Sequence, residues 1–401
     1  MIDKDSKIVI IGFGFSGLAF LASFVKNCTA SSITDIDIFE KSDNLARGLA
    51  YSTNDLDHLL NVPAYKMSIF EDTPDDLMQW FLQNGYNYDK NAFIPRLIYG
   101  QYLESVFNDT LNLAKRKNIT INIYHKEIKN IEKVNNGFII FETFYNKVIY
   151  TCGNFAKQIP NTISCFHEKA ITSIMSKDVM IFGTGLSMID VCLTLNKNIH
   201  IKNITAISRN AKLQSIHKPE YFDIKIDPTI TLNDVKNLKL SDIIHKFRIS
   251  LNKHEDWRIG FDSIRPISQN LWMGLDMKDK KKFLTKILSF YSKCRHRIPP
   301  MQMGVINRML ENGKLKIMKG NYKDFIKLEI PKINCLGIEM NVKKIQNELL
   351  HNLISNNILK IHETNFGISS NITNFHVISP LLIGELGEII AVPELRKQVR
   401  L

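Results

Sequence analysis

The stretch KIVIIGFGFSG, residues Lys7–Gly17, decides the fold of this chain. KIVII is a short apolar run rich in β-branched residues, which is typical of a buried parallel strand. Gly12, Gly14 and Gly17 follow in a G-x-G-x-x-G arrangement, and LAFLASFVKN then predicts a helix. A strand, a glycine turn and a helix in this order predict a dinucleotide-binding unit of the Rossmann type.

Each glycine of this first turn has a physical role. The first allows the tight bend, the second lets backbone approach a pyrophosphate, and the third lets the helix pack closely on the strand. The helix N-terminus, with Ser16 in its first turn, offers N–H groups to the pyrophosphate. The next strand, ITDIDIF, ends at Glu40, whose carboxylate can accept hydrogen bonds from both ribose hydroxyls of an adenosine. We assign this site to FAD; the alternative for Glu40 is a strand-end acid in water.

A second unit of the same kind begins near the middle of the chain. The strand KDVMIF is followed by Gly183 and Gly185, with Ser187 leading into the helix MIDVCLTL. Met188 takes the place of the third glycine, so we expect slightly looser packing of helix on strand. Two such units in one chain predict electron transfer from a nicotinamide cofactor to a flavin.

The second unit differs from the first at the ribose position. Its next strand, NITAIS, ends in Ser208 and Arg209, with no acid. Arginine matches a 2′-phosphate in a bidentate manner, whereas a carboxylate would repel it. We therefore expect NADPH in preference to NADH. The alternative is a solvated arginine at a strand end.

Composition and charge narrow the function classes. Lysine and arginine number 52 against 40 acids, a net charge of +12, but no zinc-finger, leucine-zipper or arginine-rich segment accompanies the excess. We favour phosphorylated cofactors and surface lysines over a nucleic-acid partner. The six cysteines form no C-x-x-C pair and no metal-ligand spacing, which argues against a redox-active disulfide beside the flavin. The uncharged run Ile8–Val25 is broken by glycines, so we expect no membrane segment and a cytoplasmic protein.

The pattern of elements predicts an α/β protein with two Rossmann-type domains. We expect a discontinuous FAD domain (1–160 and 331–401) with an NAD(P)H domain (175–330) inserted into it, because the strand KINCLG and the stretch from Phe375 look like returns to the first domain. Helices are expected at Asp75–Asn84 and Arg96–Lys117, and a helical substrate or lid region at about 231–313. There, KKFLTKILSFYSK has an apolar face opposite its lysines; such a helix packs on the protein's own core or lies on a membrane.

Several segments together resemble the bacterial FAD/NAD(P)-binding proteins of the YdhS-like family, and more distantly the N-hydroxylating flavin monooxygenases. Matching order and spacing carry the resemblance over most of the chain. The segments are RGLAYST (47–53), HLLNVPAYKMS (58–68), IPRLIYGQYL (94–103), FGTGLSMID (182–190), DWRIGFDSIRP (256–266), CRHRIPP (294–300) and EIIAVPELRKQ (388–398).

This resemblance implies FAD held by the first glycine turn and Glu40. It also implies that Arg47, Asn61 and Ser68 line the flavin and that Gly153 lies where the chain closes over it. The sequence departs from the family at three places: Thr151-Cys152-Gly153 replaces Ala-Thr-Gly, Cys335-Leu336-Gly337 replaces Cys-Thr-Gly, and Ser379-Pro380 replaces Gly-Pro.

The expected activity is that of a monooxygenase. NADPH would reduce the flavin, and a C4a-hydroperoxide formed with molecular oxygen would hydroxylate a small molecule. Arg258, Arg265, His296 and Arg297 are candidate contacts for an anionic or amino-acid-like substrate, or else they pair with acids. Two rivals remain open at this point: a flavin reductase or dehydrogenase that avoids oxygen, and a non-catalytic dinucleotide sensor. The sequence names neither the substrate nor the oligomeric state.

Overall fold

Two parallel sheets organise the part of the chain described by this computed structural model, which comprises residues 6–28, 33–222, 230–231 and 239–399. The strands are β1 (Ser6–Ile11), β2 (Ile33–Phe39), β3 (Thr120–Tyr124), β4 (Glu132–Val134), β5 (Gly137–Ile140), β6 (Thr143–Tyr145), β7 (Lys147–Tyr150), β8 (Ile163–Ser164), β9 (Asp178–Phe182), β10 (Asn203–Ser208), β11 (Leu315–Lys319), β12 (Lys332–Asn334), β13 (Lys360–Ile361), β14 (Ile368–Ser369) and β15 (Phe375–Val377).

Helices cover both sheets and fill the region between them. They are α1 (Phe15–Asn27), α2 (Asp76–Gln83), α3 (Arg96–Arg116), α4 (Glu168–Thr172), α5 (Leu186–Lys197), α6 (Leu240–Lys253), α7 (Trp257–Ser263), α8 (Ser268–Gly274), α9 (Met277–Lys282), α10 (Leu288–Arg295), α11 (Pro300–Glu311), α12 (Glu348–Ser355), α13 (Ile383–Leu386) and α14 (Val392–Leu395). The helices expected from residues 75 and 96 are confirmed as α2 and α3.

The first sheet has the strand order β15–β7–β1–β2–β3, and all of its pairings are parallel. The central strand β1 is buried on both faces, as its apolar run predicts. Ile8 and Ile10 face the core under α1 and α3, whereas Val9 and Ile11 face the core that contains Tyr145 of the small antiparallel sheet β4–β5–β6. The Phe13 and Phe107 rings, 5.0 Å apart, join the glycine turn to α3.

The second sheet has the order β11–β10–β9–β12–β8, again with parallel pairings. Two parallel sheets of the dinucleotide-binding type, in an α/β chain that returns to its first sheet near the end, confirm the expected fold class. The assignment of KINCLG was wrong: β12 pairs with β9, Ile333 opposite Ile181, and so belongs to the second sheet. Both isoleucines are completely buried there, which is the packing that this apolar strand gains. The chain returns to the first sheet at β15, which pairs with β7.

The helical region packs on the protein's own core. KKFLTKILSFYSK forms the end of α9, a π-helical segment at Phe283–Ile287 and most of α10. Leu284 is buried in one cluster with Trp272, and the Tyr291 ring lies 5.2 Å from that of Phe261. The core-packing interpretation of this helix therefore holds. Residues 232–238 of the expected helical region lie outside the described residues. Within the described ranges, no helix combines the length and apolar character that a membrane span requires.

Two chain connections link the sheets and lie side by side. The outgoing connection follows β7 and the returning one follows β12. An antiparallel bridge joins Ala156 to Ile338. Backbone hydrogen bonds run from Lys157 N to the Gly337 oxygen (3.1 Å) and from Glu339 N to the Phe155 oxygen (2.7 Å). These contacts fix the place where the carboxyl ends of the two sheets face a shared cleft.

Candidate dinucleotide and substrate sites

A β-carbon would meet its surroundings closely at all three glycines of the first turn, most severely at Gly17. A β-carbon at Gly17 would lie 2.7 Å from the Gly12 oxygen, inside any real contact distance. A β-carbon at Gly14 would lie 3.2 Å from the Gly48 Cα, because the loop after β2 crosses the turn there. The turn is therefore a close approach of two backbone segments, as the sequence motif requires.

Glu40 is bound to the glycine turn itself. Its Oε2 accepts a hydrogen bond from Phe13 N (2.7 Å), and its Oε1 accepts from both N (2.9 Å) and Oγ (3.0 Å) of Ser42. The carboxylate is thus a fixed part of the turn and not a strand-end acid in water. An ionised carboxylate has about four acceptor positions, so about one position, on Oε2, remains for a ribose hydroxyl.

Both nucleotide helices begin at a glycine and have no side-chain cap. Gly14 is the N-cap of α1 and Gly185 the N-cap of α5, and neither helix has a side-chain cap hydrogen bond. The first N–H groups of a helix have no partner within the helix, so each start offers donors and a partial positive charge to an anion. Ser16 and Ser187 stand in these first turns. The arrangement fits a dinucleotide pyrophosphate at each turn.

The other residues expected around a flavin divide into two groups. Asn61 lines the cleft between the domains, and Gly153 lies against Pro380, with 3.1 Å between a β-carbon there and Pro380 Cδ. Arg47 instead donates to the Tyr51 oxygen (2.9 Å) and pairs with Glu104 (3.3 Å), outside the cleft lining.

Ser68 also points away from the cleft. It is completely buried, and its hydroxyl donates to the Thr73 oxygen (2.7 Å) and accepts from Phe70 N (3.1 Å). The expectation that Ser68 lines the flavin is wrong for this reason, since its hydroxyl closes its own loop.

Ser379, one of the departures from the family, ties the last strand to the flavin side of the cleft. Its hydroxyl donates to the Cys152 oxygen (2.7 Å) and accepts from Leu381 N (3.1 Å). Ser379 is completely buried, so the hydroxyl satisfies two backbone groups that would otherwise lack partners. The serine therefore stabilises the closure beside Gly153.

The second glycine turn is joined to the end of β10 by side chains. Thr184 Oγ1 lies 2.8 Å from the Lys212 oxygen and 3.0 Å from Ser208 Oγ, and Ser208 Oγ also accepts from Ala211 N (3.1 Å). Gly183, with φ +113°, brings the turn against the Cys335 carbonyl. The ribose edge of the second site is thereby held next to its turn.

Met188 and Arg209 have opposite surroundings. Met188 is completely buried, its sulfur 3.2 Å from Cys192 Sγ, so core packing replaces the third glycine. Arg209 is exposed and forms no hydrogen bond or ion pair with any described residue. Its guanidinium is therefore available to a ligand at the ribose edge.

The carboxyl ends of the two sheets enclose a cleft of about 270 Å³. Tyr51 and Asn61 line it on the flavin side, Cys165 and Ser187 on the nicotinamide side, and His296 on the helical side. Burial raises the pKa of Tyr51 to about 12, against the opposing effect of Arg96, so its hydroxyl stays protonated. Clefts of this kind between domains are where small molecules bind most often.

A hydrogen bond and an ion pair anchor the cleft residues Asn61 and Arg96 to neighbouring parts of the chain. His217 Nε2 binds the Asn61 oxygen (3.0 Å), and Arg96 pairs with Asp190 of α5 (2.9 Å). Burial first, and then Arg297, lowers the pKa of His217 to about 3, so this histidine is neutral and donates through Nε2.

All four substrate candidates pair with acids, and three of them are arginines. Arg297 forms two hydrogen bonds with Asp262 (2.8 and 2.9 Å). Arg258 pairs with Asp256 (3.0 Å). Arg265 pairs with Glu394 (3.2 Å). The acid-pairing interpretation is the one observed for these three arginines.

His296 differs because it also lines the cleft. Its Nε2 lies 2.6 Å from Glu388 Oε1, and both side chains are mostly buried. Hydrogen bonding and charge from His296 lower the pKa of Glu388 although burial opposes them. The pair leaves Nδ1 as the remaining ring nitrogen.

Sequence reasoning missed the acids of the C-terminal segment and one lysine. Glu394 binds both Arg265 and Arg295, and Glu388 binds His296. Lys66 lies beside them, and burial, followed by repulsion from Arg265, lowers its pKa to about 8. The sequence signal for these acids was the pair of glutamates within EIIAVPELRKQ.

Comparison with known proteins agrees with this geometry. Residues 9–153 match the family model described as FAD-NAD(P)-binding. No curated protein matches the chain. The fold is that of N-hydroxylating flavin monooxygenases.

Three solved structures illustrate the likeness. The Kutzneria sp. 744 ornithine N-hydroxylase, a complex with reduced FAD, NADP⁺ and L-ornithine, has a TM-score of 0.62 at 11% identity, over 99% of this chain and 97% of that one. The L-lysine 6-monooxygenase of Pseudomonas syringae has 0.60 at 12%, over 98% and 97%. The cadaverine monooxygenase of desferrioxamine biosynthesis from Erwinia amylovora has 0.58 at 10%, over 100% and 92%.

Proposed function

We propose that this chain is an FAD-dependent, NADPH-using monooxygenase that hydroxylates a small anionic or amino-acid-like metabolite. The observation that carries the proposal is a pair of uncapped, glycine-started helices, one on each parallel sheet, of which the second opens on the cleft through Leu186 and Ser187. The family match over residues 9–153 and the fold shared with flavin monooxygenases support it.

The residues of the two turns divide the cofactors between them. Glu40, fixed on the first turn, would accept a hydrogen bond from the adenosine ribose of FAD. Arg209, exposed at the end of β10, would bind the 2′-phosphate of NADPH. Bound together, these cofactors would supply the electrons and the oxygen activation, which no side chain can supply.

A surplus of buried positive charge beside the cleft supports an anionic substrate. Asp262, Glu388 and Glu394 face five cations, namely Lys66, Arg265, Arg295, Arg297 and Arg396. Arg265 Nη2 is buried and, among the described residues, has no hydrogen-bond partner. A carboxylate or phosphate would satisfy this donor and balance the charge.

His296 supplies the proton-handling group. It lies on the cleft wall, and Glu388 holds its Nε2, which fixes the ring. A histidine oriented by a buried carboxylate is a common general acid–base group. The closed cleft would keep bulk water from the reacting groups.

The proposal is tested by oxygen consumption. The FAD-loaded chain is mixed with NADPH and a panel of carboxylated and phosphorylated metabolites. One of them should stimulate NADPH and oxygen consumption together and gain one oxygen atom by mass. If the NADPH-reduced flavin stays reduced in aerated buffer with every candidate, the chain is a reductase or dehydrogenase. If NADPH is never oxidised, it is a dinucleotide sensor.

Lys66→Met tests the substrate class, with exposed Lys278→Met as control. Because the pKa of Lys66 is about 8, its charge is present below that pH and lost above it. Wild-type KM for the anionic substrate should therefore rise above pH 8. The Lys66 variant should have a KM raised roughly tenfold at pH 7 and independent of pH in this range. An unchanged KM would exclude this cluster as the anion site.

A further inference from the structure

The strands β8 and β12 bring two distant cysteines together. They pair in parallel, Ile163 opposite Ile333 and Ser164 opposite Asn334, and the next residue of each chain is a cysteine. Cys165 N donates to the Asn334 oxygen (3.3 Å), which is the ladder bond of the Ser164–Asn334 pair, so the two cysteines directly follow the last paired residues. The thiols of Cys165 and Cys335 are near enough for each to shift the pKa of the other.

This placement brings the two backbones within the range that a disulfide spans. Opposed residues on neighbouring strands have Cα atoms about 4.8 Å apart, and disulfides join Cα atoms roughly 4.4–6.8 Å apart. The absence of a C-x-x-C motif therefore excludes only a disulfide between cysteines that are close in sequence. The fold supplies a pair that the sequence spacing conceals.

The two thiols have different environments. Cys165 is half-buried and lines the cleft, where the Ser187 hydroxyl also binds it, and its hydrogen bond with Cys335 lowers its pKa. Cys335 is buried, which raises its pKa well above the usual value. An accessible thiolate beside a buried partner is the arrangement of redox-sensitive cysteine pairs.

The pair also lies at a decisive place in the fold. Cys335 stands at the start of the returning connection between the sheets, its carbonyl against Gly183 of the second glycine turn. Cys165 follows the end of the outgoing connection. A bond between them would join both connections covalently, next to the bridge of Ala156 and Ile338.

We propose that Cys165 and Cys335 form a peroxide-sensitive dithiol at the mouth of the second dinucleotide site. The Cys165 thiolate attacks one oxygen of hydrogen peroxide, and the O–O bond breaks. The hydroxide that leaves takes up the proton that the thiol had released and becomes water. The resulting sulfenic acid is attacked by the Cys335 sulfur; the S–O bond breaks, a second water leaves, and the disulfide forms. Two thiols are oxidised as one peroxide is reduced to two waters.

The consequence is a covalent clamp across the two connections. The disulfide removes the Cys165 thiol from the Ser187 hydroxyl and ties the mouth of the second turn to the strand beside it. A reductant such as dithiothreitol reverses it by thiol–disulfide exchange. The proposal concerns the thiols of this chain and does not require that any metabolite be hydroxylated.

The test uses the full, reduced chain treated with increasing hydrogen peroxide, followed by alkylation and peptide mass spectrometry. Cys165 and Cys335 should lose their alkylation together and yield one cross-linked peptide, which dithiothreitol abolishes. Cys294, a half-buried thiol whose pKa is raised by burial, is the internal control and should stay alkylatable at these concentrations.

Two variants define the order of the steps. Cys335→Ser, or Cys335→Ala if serine destabilises the core, should stop at a sulfenic acid on Cys165 that dimedone traps. Cys165→Ser should leave Cys335 alkylatable throughout. The proposal is overturned if the wild-type pair stays reduced while Cys294 is oxidised, or if Cys165 pairs with another cysteine.

Discussion

The two glycine turns are built from the same elements but hold opposite charges at their ribose edges. At the first turn, Glu40 is bound to Phe13 N and to Ser42, so its carboxylate is in place before any ligand arrives. At the second turn, Arg209 is exposed and has no partner among the described residues. One site presents a fixed carboxylate and the other an unpaired guanidinium.

This difference indicates how the two sites would be used. A preorganised contact loses little freedom on binding, so its full interaction energy contributes to affinity. An exposed arginine must be ordered by its ligand, which costs roughly 0.5–1.5 kcal/mol for a side chain of this kind. The first site suits a cofactor that stays bound, and the second suits one that enters and leaves in each cycle.

The largest effects should come from valine at the second glycine of each turn. Gly14→Val places a branched side chain against Gly48 and in the path of the pyrophosphate, so FAD binding should be lost. At Gly185 a β-carbon meets only Gln214 Nε2, at 3.9 Å, so Gly185→Val should fold, keep FAD and lose NADPH. Flavin absorbance and nucleotide titration measure the two losses. A yellow, folded Gly14→Val protein would remove the first turn from the cofactor site.

The next effect separates the two nicotinamide nucleotides. A charge-assisted hydrogen bond contributes roughly 1.5–3 kcal/mol, and about 1.4 kcal/mol is tenfold in affinity. Arg209→Ala should therefore weaken NADPH by roughly ten- to a hundredfold and leave NADH nearly unchanged. Arg209→Lys keeps the charge but loses the bidentate geometry of the guanidinium, so its affinity for NADPH should lie between those of the wild type and the alanine variant. Steady-state kinetics with both nucleotides decides it; equal losses would mean that Arg209 only shapes the strand end.

Removing the charge of the fixed acid should have a smaller effect. Glu40→Gln keeps one acceptor oxygen and turns the other into an NH2 donor, so it can no longer accept from both Phe13 N and Ser42 N. We expect FAD to bind roughly tenfold more weakly, by the loss of one charged hydrogen bond. Fluorescence titration of the FAD-free protein measures this loss. Unchanged FAD affinity with lowered thermal stability would show that Glu40 serves the turn alone.

Sequence reasoning succeeded where chemistry depends on neighbours along the chain. The glycine turns, Glu40 and Arg209 follow short strands and can be recognised from their order. Reasoning failed where partners are distant. Nothing in the apolar segment KINCLG tells which sheet it joins, and only the observed pairing with β9 assigns it.

The same limit applies to the charged groups around the cleft. An arginine in CRHRIPP is equally consistent with a ligand contact and with an ion pair, and in the structure Asp262 holds Arg297. The structural role of Ser68 in NVPAYKMS could not be identified from the sequence, because its hydrogen-bond partners on Phe70 and Thr73 belong to a turn that the pattern does not reveal. The pairing of Cys165 with Cys335 is likewise a product of strand register.

The smallest effect concerns Ser208, and it sharpens the contrast between the turns. A hydroxyl has one hydrogen, and the Lys212 carbonyl has none to give, so the Thr184 proton goes to that carbonyl at 2.8 Å. The Ser208 proton is then directed to Thr184 Oγ1, 3.0 Å away, and not to a phosphate. Ser208 would therefore hold the second turn's shape as Ser42 holds the first turn's acid. Ser208→Ala should weaken NADPH and NADH alike, by about threefold, as expected for one neutral hydrogen bond near the lower end of its range. A loss confined to NADPH would mean instead that Ser208 donates to the 2′-phosphate, and that the second site reads its ligand with two residues and not with Arg209 alone.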